Sequence, residues 1–134
     1  MINQIVKNDL KPLTLAIDHG TYTTEVLEKL GKAGAFRHHI PSQNNGKLNL
    51  FGTIADMAVV SEECMSTGFM MWAQTVCAWY IENSDNEYLK TEILPKMVDG
   101  ELFGATSLSN PMKHFAGIEE LKLTAEETED GYII

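Results

Sequence analysis

The feature that most constrains the fold is a change of pattern within residues 94–111, LPKMVDGELFGATSLSNP. Before it, apolar residues recur at helical spacing, whereas after it short runs of Leu, Phe, Thr and Ile alternate with polar residues. Pro95 can begin a helical turn, because its missing N–H is not needed there, and Gly100 can end that turn in the left-handed conformation. The pattern therefore predicts a helical domain at residues 1–100 and the beginning of a β-domain at residues 101–134.

The helical domain contains several local signals. A helix is predicted over residues 24–33, with Val26, Leu27, Leu30 and Ala33 facing inward. Pro12 interrupts the apolar run before it, for which we expect a short helix or an extended arm. Ser84 and Glu87 have the spacing of a capping box and predict the start of a further helix ahead of the Leu94–Pro95 joint.

The apolar centre of the chain, residues 51–82, predicts two helices that are broken near residues 66–68. Gln74 and Thr75 interrupt its apolar run, so we expect no membrane span. Methionines and aromatic residues at this spacing are typical of a buried core, and a ligand pocket is the alternative. The predicted inward faces are Ile54, Met57, Ala58, Ser61 and Met65 in the first helix, and Phe69, Trp72, Ala73, Val76 and Tyr80 in the second.

The β-domain begins with a predicted strand at residues 103–109, whose end is small and hydroxylated and leaves room for a flat molecule. A second strand is predicted at residues 118–127, and the Asp130–Gly131 pair predicts a hairpin turn into a third strand at residues 132–134. A sheet of this size cannot close by itself, and its last strand would leave an open edge. We therefore expect the chain to be a fragment or one part of a split enzyme.

Charge and composition exclude some functions. The chain has 134 residues and a net charge of −9, which argues against broad contact with a nucleic-acid backbone. A hydrophobic fraction of 44% and a charged fraction of 22% are those of an ordinary globular protein. Cys64 and Cys77 both fall in predicted helices, so we expect buried thiols, a reducing compartment and a cytoplasmic location.

Two pairs of adjacent residues, one of histidines and one of glutamates, have side chains that can bind metals or catalyse reactions. Side chains that are adjacent in sequence point in different directions, so His38 and His39 are poorly placed to chelate one metal ion and are predicted to be ordinary loop histidines. The same divergence makes Glu62 and Glu63 unsuitable as a catalytic dyad. No metal-binding His or Cys spacing occurs in the sequence, so no metal site is predicted.

Five short motifs follow one another along the chain: Glu62-Glu63, Leu94-Pro95-Lys96, Asp99-Gly100-Glu101, Ser109-Asn110-Pro111 and Asp130-Gly131-Tyr132. In their order and spacing they resemble the first part of an acyl-CoA dehydrogenase. The family usually has Thr-Glu-Pro followed by a Gly-Ser-Asp turn where this chain has Ser109-Asn110-Pro111 and then residues 112–117.

The resemblance implies FAD as cofactor and α,β-dehydrogenation of an acyl-CoA thioester as the reaction. It implies that the first β-segment faces the flavin, with the backbone of Thr106, Ser107 and Leu108 at the ring edge and the Ser109 hydroxyl toward N5 or O4. It also implies that the second central helix passes beside the acyl chain, which makes its inward side chains the substrate-binding candidates: Phe69, Trp72, Ala73 and Val76. The catalytic base would lie in a C-terminal domain, so this chain contains no catalytic residue and is expected to be inactive alone.

The resemblance further implies an electron-transfer partner and a homo-oligomer for the full-length protein. Two alternatives remain open at this stage. Flavin-dependent monooxygenases share the fold and act on substrates without coenzyme A, and the altered turn after Pro111 is compatible with them. The chain could also be a helical interaction module that binds no flavin.

Overall fold

The chain is mainly helical and ends in one small hairpin. A computed structural model describes residues 1–133, so Ile134, the last residue of the predicted third strand, lies outside the described residues. The elements are α1 (Ile2–Ile5), a π-helical turn (Val6–Leu10), a 3₁₀ turn (Lys11–Leu13), α2 (Thr14–Asp18), α3 (Glu25–Lys32), a 3₁₀ turn (Pro41–Gln43), α4 (Leu50–Glu63), α5 (Met65–Glu82), a π-helical turn (Leu89–Ile93), α6 (Leu94–Val98), α7 (Ser109–Phe115), β1 (Glu126–Thr128) and β2 (Gly131–Ile133).

The N-terminal segment is more helical than Pro12 suggests. Helical backbone angles continue from α1 through Val6, Lys11 and Thr14 into α2. Proline lacks an N–H group and its ring crowds the preceding turn, and here a π-helical turn followed by a 3₁₀ turn accommodates it. Because the direction of the chain is kept, Leu10 and Ile17 are both buried in the core.

Two local predictions in the helical domain are confirmed and one is wrong. Helix α3 buries Val26, Leu27 and Leu30, and Pro95 lies in the first turn of α6, which gives way to Gly100 with φ of +75°. The predicted capping box is wrong, because the Ser84 hydroxyl donates to Ile81 O at the end of α5. The cap is Asn86, whose Oδ1 accepts from Leu89 N–H at 3.1 Å.

Helices α4 and α5 are separated by one extended residue, Cys64, with φ of −148° and ψ of +105°. The predicted break at residues 66–68 is therefore wrong, and Gly68 has a different role. A Cβ atom on Gly68 would lie 1.9 Å from Ser61 Oγ, so the absence of a side chain allows the two helices to approach closely.

The predicted inward faces of α4 and α5 are also wrong. Ile54 and Phe69 are 65% and 64% exposed, and Met65 and Tyr80 are exposed as well. Because both helices carry apolar residues on most sides, periodicity could not identify which side meets the rest of the core. The buried residues are instead mostly small or polar: Thr53 and Val60 in α4, and Thr67, Gly68, Met71, Gln74, Thr75 and Ala78 in α5.

The core lies among the helices that precede Glu101. None of the helices within residues 1–133 combines the length and the hydropathy that a membrane crossing requires. The largest buried apolar side chains of this core are Phe36, Leu10, Leu30, Ile40, Met71, Leu94, Val60 and Val98.

The predicted first strand is not formed. Residues 103–108 are irregular, and α7 begins at Ser109, with Pro111 in its first turn, where a missing N–H costs little.

The predicted second strand is reduced to β1, which pairs antiparallel with β2 so that Thr128 faces Gly131. The predicted hairpin is formed, but its turn residues are Glu129 and Asp130, one position before the predicted pair, and Gly131 begins β2. Extended segments need a paired neighbour to become strands, and only this hairpin supplies one among residues 1–133.

Candidate functional site

A cleft of about 250 Å³ lies where α5 meets the beginning of α7, and we call it the Ser109 cleft. It brings together residues that are more than thirty positions apart in sequence and that were predicted to serve two ligand groups, the cofactor and the substrate. Its lining residues are Phe69, Trp72, Thr106, Leu108, Ser109 and Met112.

Gln74 holds the irregular segment against α5. The Gln74 side chain is buried, and its Nε2 donates to Met97 O and Leu102 O, each at 2.9 Å. Its Oε1 accepts from Gly104 N–H at 2.8 Å. These three bonds use both the nitrogen and the oxygen of the Gln74 amide, so they fix the place where the chain leaves the helical core.

Gly104 allows that close approach. A Cβ atom at this position would lie 2.5 Å from Cys77 Sγ and 2.7 Å from Met97 Cε. The backbone therefore passes directly over α5, and the following residues reach Phe69 and Trp72. The role of Gln74 was not predicted, although a polar residue inside an apolar helix is itself a signal of a buried hydrogen-bond anchor.

The floor of the Ser109 cleft is aromatic. The rings of Phe69 and Trp72 are stacked, with centroids 5.4 Å apart and planes 26° apart. Such stacked pairs gain about 0.5–1.5 kcal/mol beyond their buried area, which favours this arrangement of the two rings. A flat or apolar group entering the cleft would lie against this pair.

The opposite wall carries polar groups. Thr106 and Ser109 line the cleft, the first half-buried and the second exposed, whereas Ser107 is also exposed but lies outside the lining. The backbone N–H groups of Thr106 and Leu108 make no hydrogen bond within residues 1–133, so they remain available as donors. A ring with polar edges can be oriented by such hydroxyl and N–H groups.

Two of the predicted substrate-binding residues lie elsewhere. Val76 lines a second cleft of about 420 Å³ between α4 and α5, which we call the α4–α5 cleft. Ala73 is half-buried and lines neither of these two clefts. The α4–α5 cleft is lined by His39, Leu50, Thr53, Ile54, Met57, Trp72, Thr75, Val76 and Trp79.

His39 is buried and forms hydrogen bonds to two helices, so its prediction as an ordinary loop histidine is wrong. Its Nε2 lies 2.8 Å from Thr75 O and its Nδ1 lies 3.4 Å from Thr53 Oγ1, so the ring connects α4 with α5. A carbonyl oxygen can only accept, which assigns the proton to Nε2 and leaves Nδ1 to accept from the hydroxyl. Burial lowers the pKa of His39, because the charged form loses hydration, and the neutral ring is favoured.

A larger cleft of about 510 Å³ lies on the other side of Phe69. It opens between the end of α2 and the beginning of α5, and it contains none of the predicted cofactor-binding residues. Phe69 lines both this cleft and the Ser109 cleft. The lining consists of Ile17, Gly20, Thr21, Tyr22, Met65, Ser66, Phe69 and Met70.

Asn110 organises the segment that follows the cleft. Its Nδ2 donates to Glu119 Oε1 and to Glu120 O, both at 3.0 Å, and its Oδ1 accepts from Lys122 N–H at 2.9 Å. The Asn110 bond is the main reason why the pKa of Glu119 is lowered, and the Lys122 and Lys113 side chains add to the effect. Asn110 thus folds the stretch after α7 back onto the helix beside Ser109.

The remaining candidates do not assemble into a metal or disulfide site. Among residues 1–133, no group of three or more His, Cys, Asp or Glu side chains is placed to hold a metal ion. His38 instead pairs with Asp56 at 3.1 Å. Cys64 and Cys77 are free thiols, the first buried and the second half-buried, and burial raises the pKa of the Cys77 thiol.

Comparison with known proteins adds a family signature. Residues 1–101 match the family model described as "Acyl-CoA dehydrogenase, N-terminal domain". The chain is 26% identical to the mitochondrial isovaleryl-CoA dehydrogenase of Bos taurus over 99% of its own length and 32% of that protein. It is also 26% identical to the short-chain specific acyl-CoA dehydrogenase of Clostridium acetobutylicum over 83% of its own length and 30% of that protein.

The chain spans about a third of the length of these two curated relatives. No solved structure matches it.

Proposed function

The chain belongs to the acyl-CoA dehydrogenase family, and on that premise we propose that it is the N-terminal part of an FAD-dependent enzyme that oxidises an acyl-CoA thioester between its α and β carbons. The longer protein is called the parent enzyme below. The observation that carries the proposal is the Ser109 cleft, which is lined by hydroxyl-bearing residues from the segment after α6 and by an aromatic pair from α5.

The residues of the cleft fit a flavin and an acyl group side by side. When bound, FAD supplies the acceptor for the hydride that leaves the β carbon. We propose that the Ser109 hydroxyl and the backbone of residues 106–108 orient the ring edge, because hydroxyl and N–H groups fix the orientation of such a ring. Phe69 and Trp72 would exclude water and hold the apolar part of the substrate beside it.

The general base is proposed to lie outside residues 1–134. None of the six residues that line the Ser109 cleft carries a carboxylate or an imidazole, the usual groups for removing a proton at carbon. We therefore expect the chain alone to be inactive. Its role would be to supply one wall of the site and to position the substrate.

The proposed function includes partners and a location. We propose an electron-transfer partner and a homo-oligomer for the parent enzyme, both by analogy with its family. We also propose a reducing, cytoplasmic location, which is supported by the free thiols of Cys64 and Cys77.

The proposal is tested by following the flavin absorbance of the parent enzyme when butyryl-CoA is added without oxygen. We expect bleaching by the substrate in the wild type. Ser109→Ala should weaken FAD binding about tenfold, the effect of losing one good hydrogen bond of about 1.4 kcal/mol. Thr124→Ala removes a hydroxyl group from an exposed position outside the cleft, and it should leave FAD affinity unchanged.

Two results would contradict the proposal. A parent enzyme that is colourless and gains no thermal stability from added FAD would favour a helical interaction module. Consumption of reduced flavin and oxygen without turnover of any acyl-CoA would favour a flavin-dependent monooxygenase.

A further inference from the structure

Trp72 lies at the boundary of two clefts. It is one of the six residues that line the Ser109 cleft, and it also lines the α4–α5 cleft. Among the described lining residues it is the one that the two clefts share. A group that enters beside Ser109 and extends along α5 therefore meets this indole before it reaches the larger cleft.

The indole of Trp72 stacks on Phe69, with 5.4 Å between the ring centroids, and Trp72 is half-buried. Turning the ring away would break this stack and this packing. The backbone that carries the ring is held as well, because the Trp72 carbonyl accepts from Thr75 Oγ1 at 2.8 Å. We therefore treat Trp72 as a divider between the clefts.

The α4–α5 cleft is suited to an alkyl chain and offers little to a polar group. Its lining is mainly apolar, and its one imidazole, His39, is occupied by Thr75 O and Thr53 Oγ1. No hydrogen-bonding group of His39 remains for a ligand. An alkyl chain that reached this cleft would gain burial without leaving a polar partner unpaired.

We propose that Trp72 restricts the substrate to short acyl chains by closing the Ser109 cleft off from the α4–α5 cleft. The inference rests on the proposed function and names the substrate class of the same site. It makes the Trp72 side chain responsible for the selection of acyl-chain length, because the space beyond Trp72 already exists and is apolar.

The test compares straight-chain acyl-CoA thioesters of increasing length with the FAD-loaded parent enzyme. The wild type should use butyryl-CoA better than octanoyl-CoA. In Trp72→Ala the ratio of kcat/KM for octanoyl-CoA to that for butyryl-CoA should rise at least about tenfold, because each additional buried methylene contributes to transition-state binding. Trp72→Leu retains more of the packing and should move the ratio in the same direction by a smaller factor.

Phe51→Ala is the matched control. Phe51 is an aromatic residue of α4 that is 82% exposed and lines neither cleft, so its loss should leave the ratio unchanged. Flavin content and the thermal midpoint are measured for every variant, and Trp72→Leu decides the question if Trp72→Ala does not fold.

The outcomes separate this inference from the proposed function. If no acyl-CoA reduces the flavin of the wild type, the proposed function fails and this inference with it. If butyryl-CoA is oxidised but the length preference is unchanged in both Trp72 variants, only the assignment of Trp72 is overturned. A wild type that already prefers octanoyl-CoA would overturn it in the same way.

Discussion

The helical part of the chain and the stretch that follows it are held together in different ways. Every side chain that is buried within residues 1–133 precedes Glu101, whereas residues 101–133 contain none. The first part has a contiguous apolar core, whereas the second has local hydrogen bonds, its connection to Gln74 and one apolar side chain, Phe103, packed against that core. One region is therefore stabilised by burial, while the other is positioned mainly by polar contacts that fix its path.

The largest expected effect is a difference in the free energy of unfolding between two Phe→Ala variants, one in each region. Phe36→Ala removes a fully buried ring and should lower the free energy of unfolding by about 3–5 kcal/mol. Phe115→Ala removes a ring that is 87% exposed and should change it by less than about 0.5 kcal/mol. Urea denaturation of the 134-residue chain measures both values, and equal losses in the two variants would remove the distinction between the regions.

A smaller effect is expected from cutting the connection between the regions. Gln74→Leu replaces the amide with an apolar side chain of similar size and leaves Leu102 O and Gly104 N–H unpaired, so it should lower the free energy of unfolding by about 1–3 kcal/mol. Hydrogen exchange at the Gly104 amide should become faster. Gln4→Leu, at an exposed position in α1, serves as the control and should change neither quantity.

If Gly104 keeps its protection in Gln74→Leu, the segment is held by something other than this amide. The Ser109 cleft would then not depend on Gln74. Unchanged FAD affinity of the parent enzyme carrying Gln74→Leu would point to the same conclusion.

The smallest effect is a pH dependence within the helical part. Burial lowers the pKa of His39 in the folded chain, whereas an exposed histidine of the unfolded chain titrates near about pH 6.5. Between these pKa values the unfolded state binds more protons, so stability is full above about pH 6.5 and falls as the pH decreases toward the folded pKa. The urea midpoint measured from pH 8 to about pH 5 should show this loss.

His39→Gln tests whether the pH dependence belongs to His39. The difference in stability between the wild type and this variant should diminish as the pH falls, because only the wild type loses the contribution of the neutral ring. His19→Gln changes an exposed histidine and should follow the wild type. A His39→Gln curve parallel to that of the wild type would contradict the assignment.

Helix positions and the flanking turn residues could be predicted because their causes are local. The apolar spacing of α3 and the role of Pro95 and Gly100 around α6 follow from backbone preferences that act within a few residues. The same holds for the hairpin turn, which forms at Glu129–Asp130, one position before the predicted pair. A helix satisfies its own N–H and C=O groups inside the segment, so the sequence alone determined α3 and the turn residues around α6, although α7 forms where no helix was predicted.

Only the tertiary structure decided which faces are buried and which segments pair. Helices α4 and α5 are apolar on several sides, and the face that packs inward was selected by the close contact at Gly68 and by the polar anchors Gln74 and His39. The segment of residues 103–108 has the composition of a strand, but a strand needs a neighbouring segment to pair with it. The physical reason is that burial and strand pairing are relations between distant residues, which no local pattern specifies.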